Sequence, residues 1–125
     1  MYGLRGKHYL HRQRRMPTAE ELYDRGVDLF AEGKYDEAIA AYGEALGLDP
    51  GFVDALHGLA MAHAEKGELE AAITAAKRIT EASADDPLGY TGLSMLYQRA
   101  GRIAEAEAAA NQARVLEWKQ QLKKS

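Results

Sequence analysis

Three glycines, Gly33, Gly67 and Gly101, fall 34 residues apart, and each separates two stretches whose apolar residues recur at helical spacing. Five residues after each glycine stands Ala38, Ala72 or Ala106, and seven before it stands Gly26, Ala60 or Ser94, so three independent series keep one period. A chain built this way is a row of copies of one small unit, each too short to bury its own apolar face and so obliged to stack on its neighbours. The residues say what the unit is. A glycine closing a helical stretch supplies the left-handed C′ position that ends a helix cheaply. The small residues at 26, 60 and 94 let two helices approach closely, with Ala38, Ala72 and Ala106 opposite them, while Leu56, Leu59, Leu93 and Tyr97 fill the space between units. Thr18 followed by Glu21 reads as a capping box, and Asp86–Pro87 as an N-cap followed by a helix-starting proline. Together these signals predict helices near 18–31, 35–48, 52–66, 69–83, 87–100 and 103–122.

This pattern resembles the tetratricopeptide repeat, a 34-residue helix–turn–helix unit with the signature W-x₂-L-G-x₂-Y, A-x₃-F and a closing proline. The unit 19–52 carries Leu22, Gly26, Leu29, Ala38, Tyr42, Ala45 and Pro50 at those places. The unit 53–86 carries Leu56, Leu59, Ala60, His63, Ala72, Ala76 and Ile79, and the unit 87–120 carries Tyr90, Leu93, Ser94, Tyr97, Ala106, Ala110 and Ala113. Two departures stand out: Arg25 replaces a leucine, and the closing proline is missing from the second and third units. The resemblance implies an all-α, right-handed α-solenoid of three helix–turn–helix repeats with an extended C-terminal helix. Arg25 is expected to meet water, because no earlier repeat is present to cover it. Beyond Ala113, the apolar residues Val115, Leu116, Trp118 and Leu122 alternate with charge, and they are expected to pack and cover the end of the array.

Charge divides the chain into residues 1–17, a basic N-terminal arm, and residues 18–125, the repeat domain. The net charge is −3, yet the first sixteen residues hold Arg5, Lys7, Arg12, Arg14 and Arg15 with no acidic residue, so the rest carries 11 basic against 19 acidic side chains. There is no cysteine, which excludes disulfides and thiolate-bound metals. No apolar run reaches the roughly 20 residues of a membrane span, and the basic start never leads into an apolar signal core. A cytoplasmic location is the expectation. Met16 opens MPTAEELY, so residues 1–15 also read as an extension upstream of a start.

No constellation of catalytic residues emerges. None of Ser83, Ser94 and Ser125 lies in a nucleophile elbow, and Gly33–Lys34 lacks the glycine spacing of a phosphate loop. His57 and His63 stand six apart on one helix rather than at a ligand-pair spacing, and His8 and His11 lack a third ligand. Glu37, Glu70, Glu105 and Glu107 read as solvated faces of second helices. The expectation is a non-enzyme with no cofactor, no metal and no catalytic residue.

What the resemblance implies instead is binding of another protein or peptide along the first helices of the repeats, which line the inner side of the superhelix. The positions concerned are Glu20, Tyr23, Val27, Phe30 and Ala31 in the first repeat. In the second they are Asp54, His57, Met61, Ala64 and Glu65, and in the third Leu88, Thr91, Met95, Gln98 and Arg99. Tyr23, Val27, Phe30, Met61 and Met95 form an apolar strip, with methionine as an adaptable contact, and Glu20, Asp24, Asp54 and Glu65 surround it with negative charge. Gly58 and Gly92 stand beside this line and read as groove-widening residues, since each costs a helix about 0.8–1.0 kcal/mol relative to alanine. The carboxylate clamp with which some family members hold acidic chaperone tails has no counterpart: Tyr23, Val27, Gly58, Leu88 and Gly92 occupy its positions. The resulting expectation is an adaptor or scaffold whose groove takes an apolar segment carrying Lys or Arg. The alternatives use the basic arm, either to bind a polyanion such as nucleic acid or an anionic membrane surface, or to self-associate by docking in the groove. The acidic body argues against nucleic acid as the partner.

Overall fold

A computed structural model describes residues 15–124, and the basic segment 1–14, with its docking and polyanion readings and with His8 and His11, lies outside the described residues. Six helices follow one another: α1 (Ala19–Ala31), α2 (Tyr35–Leu48), α3 (Val53–Glu65), α4 (Leu69–Ala82), α5 (Pro87–Arg99) and α6 (Ile103–Lys124). No strand occurs among the described residues. The starts and stops are chemical. Thr18 and Glu21 close both halves of a capping box on α1, with Arg15 bonded to the same Glu21 carboxylate. Asp86 accepts from the Leu88 amide at 3.0 Å to cap α5 ahead of Pro87. Gly33, Gly67 and Gly101 have φ of 78°, 78° and 76°. Across each of them the same bond closes the helix, from Lys34 N to Leu29 O, Glu68 N to His63 O and Arg102 N to Tyr97 O, at 2.8–2.9 Å. A side chain with a Cβ is disfavoured at that dihedral, so the 34-residue glycine period is a backbone requirement.

The helices pair as α1 with α2, α3 with α4 and α5 with α6, while α2 against α3 and α4 against α5 join successive hairpins, and α1 also touches α3. At the first joint Tyr42 is buried, and its ring lies against two glycines: a Cβ added at Gly26 or at Gly58 would come within 2.5 Å of it. Gly58 is therefore not a groove-widening residue. Its missing side chain makes room for a ring arriving from α2. Likewise the nearest atoms to Gly26 belong to Tyr42, although Ala38 is itself fully buried. At the second joint Ile73, Ala76, Leu93, Tyr97 and Ala106 form the core, and Ser94 donates to the Ala106 carbonyl at 2.7 Å. Gly92, the counterpart of Gly58, faces open space.

Arg25 is exposed, as expected of the face that an earlier repeat would cover. The C-terminal helix runs on to Lys124, but it does not bury the residues expected to cover the array's end. Only Leu116 is buried, whereas Val115, Trp118 and Leu122 are 42%, 64% and 55% exposed. The reason is periodicity: Ala106, Ala109, Ala113 and Leu116 take the core side at three- and four-residue steps, leaving Trp118 and Leu122 on the far side. Gln120 ties the extension back to the α4–α5 loop by donating to the Asp85 carbonyl at 3.0 Å.

Candidate partner-binding groove

The first helices α1, α3 and α5 place Val27, Met61 and Met95 at one register, 34 residues apart, and all three are exposed, at 41%, 43% and 61%. Each sits one position beyond the small residue (Gly26, Ala60, Ser94) by which its helix contacts the second helix, so core packing leaves it at the margin. Leu88, 75% exposed, adds apolar surface at the start of α5.

Two other members of the predicted strip are occupied by structure. Tyr23 is half-buried, with its ring centroid 5.9 Å from that of Tyr42 and 5.3 Å from that of Phe52. Phe30 is half-buried too, edge-on to Tyr35 at 5.2 Å, where it braces the α1–α2 turn. Both aromatics pack against neighbouring rings and leave only part of their surface exposed. Phe52 precedes α3, and its counterparts one period away are the polar Thr18 and Asp86, so the repeat pattern carries no sign of it.

The charges separate in the same way. Glu20, Asp24, Asp54 and Glu65 are exposed and make no ion pair among the described residues. Burial pushes the Tyr23 phenol above its ordinary range, and the carboxylates of Asp54 and Asp24 push it further, which places negative potential beside the strip. Three acids on the second helices, Asp36, Glu70 and Glu105, behave differently. Arg102 binds Glu70 of the preceding repeat and Glu105 of its own, both at 2.6 Å, while its guanidinium sits 4.9 Å from the Tyr97 ring centroid. Lys66 pairs with Asp36 and, at 3.2 Å, with Glu68. Those hydrogen bonds hold the Glu68 and Glu105 carboxyls below their ordinary value, with His63 contributing most at Glu68. The carboxylates of Glu70 and Glu105 are thus exposed but engaged, Glu70 linking the second hairpin to the third and Glu105 pairing within the third. On the second helices Asp36, Glu70 and Glu105 have partners, whereas Glu37, Glu44, Glu81, Glu107 and Glu117 make no ion pair among the described residues.

The remaining predicted positions scatter between these roles. His57, Thr91 and Gln98 are exposed, with Thr91 donating to its own helix at the Pro87 carbonyl, 3.2 Å away. Ala31 is exposed, Ala64 is buried, and Arg99 reaches from α5 to the Ala64 carbonyl at 3.4 Å. His63 bonds Glu68 at 2.8 Å. No group of three or more His, Asp or Glu among the described residues is placed to hold a metal ion, and no described helix is long and apolar enough to cross a membrane.

Comparison with known proteins agrees with this architecture. The chain is 31% identical over 94 residues to the photosystem I assembly protein Ycf3 of Synechococcus sp. (strain CC9605), a match covering 73% of this chain and 54% of that protein. With the corresponding protein of Parasynechococcus marenigrum (strain WH8102), covered over 59%, the chain spans little more than half the length of the curated relatives it matches. Among solved structures, MamA superposes with a TM-score of 0.77 at 25% identity, over 82% of this chain and 60% of its own. The second TPR of Spaghetti (RPAP3), bound to the HSP90 peptide SRMEEVD, superposes at 0.71 with 22% identity, over 79% and 92%, a likeness of fold alone. The profile of the tetratricopeptide repeat matches residues 29–96, more than half the chain. With three glycine-closed hairpins stacked at a 34-residue period, the chain belongs to the tetratricopeptide repeat family.

Proposed function

We propose that this protein is a protein-interaction module that holds an apolar segment bearing Lys or Arg along α1, α3 and α5. The observation that carries this reading is the exposed row of Val27, Met61 and Met95 beside four carboxylates without ion pairs. Methionine adapts its shape to a ligand, and unpaired carboxylates favour cationic neighbours and repel acidic ones. The RPAP3 domain holds an acidic peptide on the same fold. The acidic surroundings of the groove here, and the absence of basic side chains at the clamp positions, point to the opposite ligand charge. A module of this kind suits a factor that takes part in building a larger assembly, and the Ycf3 relatives are named as photosystem I assembly proteins. The basic residues 1–15 have the composition that the groove favours, so this segment, from the same or a neighbouring copy, is the competing occupant.

The test is binding to arrays of amphipathic peptides that differ only in charge. Peptides with apolar residues and Lys or Arg should be retained, and their acidic counterparts should not. Replacing Met61→Ser and Met95→Ser together should weaken binding about tenfold, equivalent to about 1.4 kcal/mol, with helicity unchanged because both side chains are exposed. Retention of acidic peptides, or an undiminished affinity in the double variant, would move the site away from this face.

A further inference from the structure

The outer face of α6 differs in kind from the outer faces of α2 and α4. Six residues of α6, Ala104, Ala108, Asn111, Val115, Trp118 and Leu122, follow one another at alternating steps of four and three, and every one is exposed. That spacing draws a single stripe along the helix, opposite the stripe of Ala106, Ala109, Ala113 and Leu116 that enters the core. The equivalent positions read Asp36, Ala40, Gly43 and Gly47 on α2, and Glu70, Thr74, Lys77 and Glu81 on α4. Where the first two repeats show water small or polar residues, the third shows a seam of coiled-coil type. The surface of α6 that a following repeat would cover is polar instead: Glu107 and Arg114 stand where the preceding repeat has the buried Ile73 and Thr80. The apolar stripe therefore belongs to a different contact from the one that stacks repeats.

We infer that this stripe joins two copies of the chain, α6 against α6, antiparallel about a two-fold axis level with Ala113. In that register Ala104 faces Leu122 of the second copy, Ala108 faces Trp118 and Asn111 faces Val115. Every layer sets a small or medium side chain against a larger one, which a parallel pairing, with Trp118 on Trp118 and Ala104 on Ala104, does not achieve. Flanking charges agree with the same direction. Glu105, which also bonds Arg102 of its own chain, and Lys119 border the seam on one side, and antiparallel packing brings each to the other's counterpart, twice by symmetry. Arg114 meets its own copy, the one unfavourable pairing, but it is already bonded to Asn111, which gives the polar layer of the seam a hydrogen bond. A single seam of some five turns lies at the small end of specific interfaces, so the dimer should form in the micromolar range.

Trp118 is the only tryptophan and the chain has no cysteine, so the protein carries its own probe and accepts engineered thiols cleanly. Light scattering across the micromolar range should show the mass doubling as concentration rises, with the Trp118 emission shifting to the blue in step. Trp118→Glu should leave a monomer of unchanged helicity and melting temperature, because the side chain is exposed in the single chain. A short bis-maleimide should link Ala104→Cys chains to Leu122→Cys chains when the two are mixed, and should not link Ala104→Cys chains to one another. Four outcomes overturn the inference. They are a monomer throughout, a dimer that survives Trp118→Glu, linkage of Ala104→Cys to itself, and a Trp118 emission already blue in the monomer, as when residues 1–14 cover the stripe.

Discussion

Tyr42 and Ala76 stand at the same place in the first and second repeats, 34 residues apart, and they join the hairpins in opposite ways. At the first joint a large ring enters from α2 and two glycines, Gly26 and Gly58, withdraw to admit it. At the second joint a methyl group takes its place, Ala60 replaces the first glycine, and Gly92 keeps its bare backbone with nothing near it. Tyr97 and Leu93 supply the bulk there from the opposite helix. The period therefore dictates where helices start, stop and cross, while the volume between them can come from either side. Gly58 and Gly92 look alike in the repeat and have unlike physical roles.

Substitution can break this contrast at its strongest point first. Tyr42→Ala should cost about 3–5 kcal/mol in urea unfolding, the range for emptying a buried aromatic site, because neither glycine can refill the space. A loss below about 1 kcal/mol would mean that the first joint does not depend on the ring. Gly58→Ala comes next. Its new methyl would sit 2.5 Å from Tyr42 Cζ, so overpacking of about 1–3 kcal/mol should outweigh the helix-propensity gain. Combined with Tyr42→Ala, it should cost much less than the sum of the two, since the clash disappears with the ring. Gly92→Ala has the smallest effect and the most diagnostic sign: it should stabilise the protein by about 0.5–1 kcal/mol, as alanine does at an exposed helix position. If Gly58→Ala and Gly92→Ala shift stability in the same direction, the two joints are not packed differently.

The inner groove and the outer face of α6 extend the lesson to function. Val27, Met61 and Met95 were readable as a row because the repeat supplies their register. Tyr23 and Phe30 were readable only as members of that row, and their contacts with Tyr42, Phe52 and Tyr35 come from residues outside it. Trp118 follows the same logic. An aromatic residue in a helix that continues the array reads as packing, yet its side follows from which residues of α6 the α5 helix has already claimed.

By itself the sequence determined the period, the six helices and their ends to within two residues, and the three glycine turns. Each of these is set by interactions within a few residues along the chain: a capping side chain three positions away, a missing N–H at Pro87, a positive φ that only glycine accepts without strain. Only the tertiary structure decided that Gly58 makes room for Tyr42 while Gly92 faces space, that Tyr23 packs against neighbouring rings while Met61 is left exposed, and that Trp118 lies outside the core of the single chain. Those outcomes depend on which atoms arrive from another helix of the stack and on how much volume they bring, and nothing in a residue's own neighbourhood of the chain encodes that.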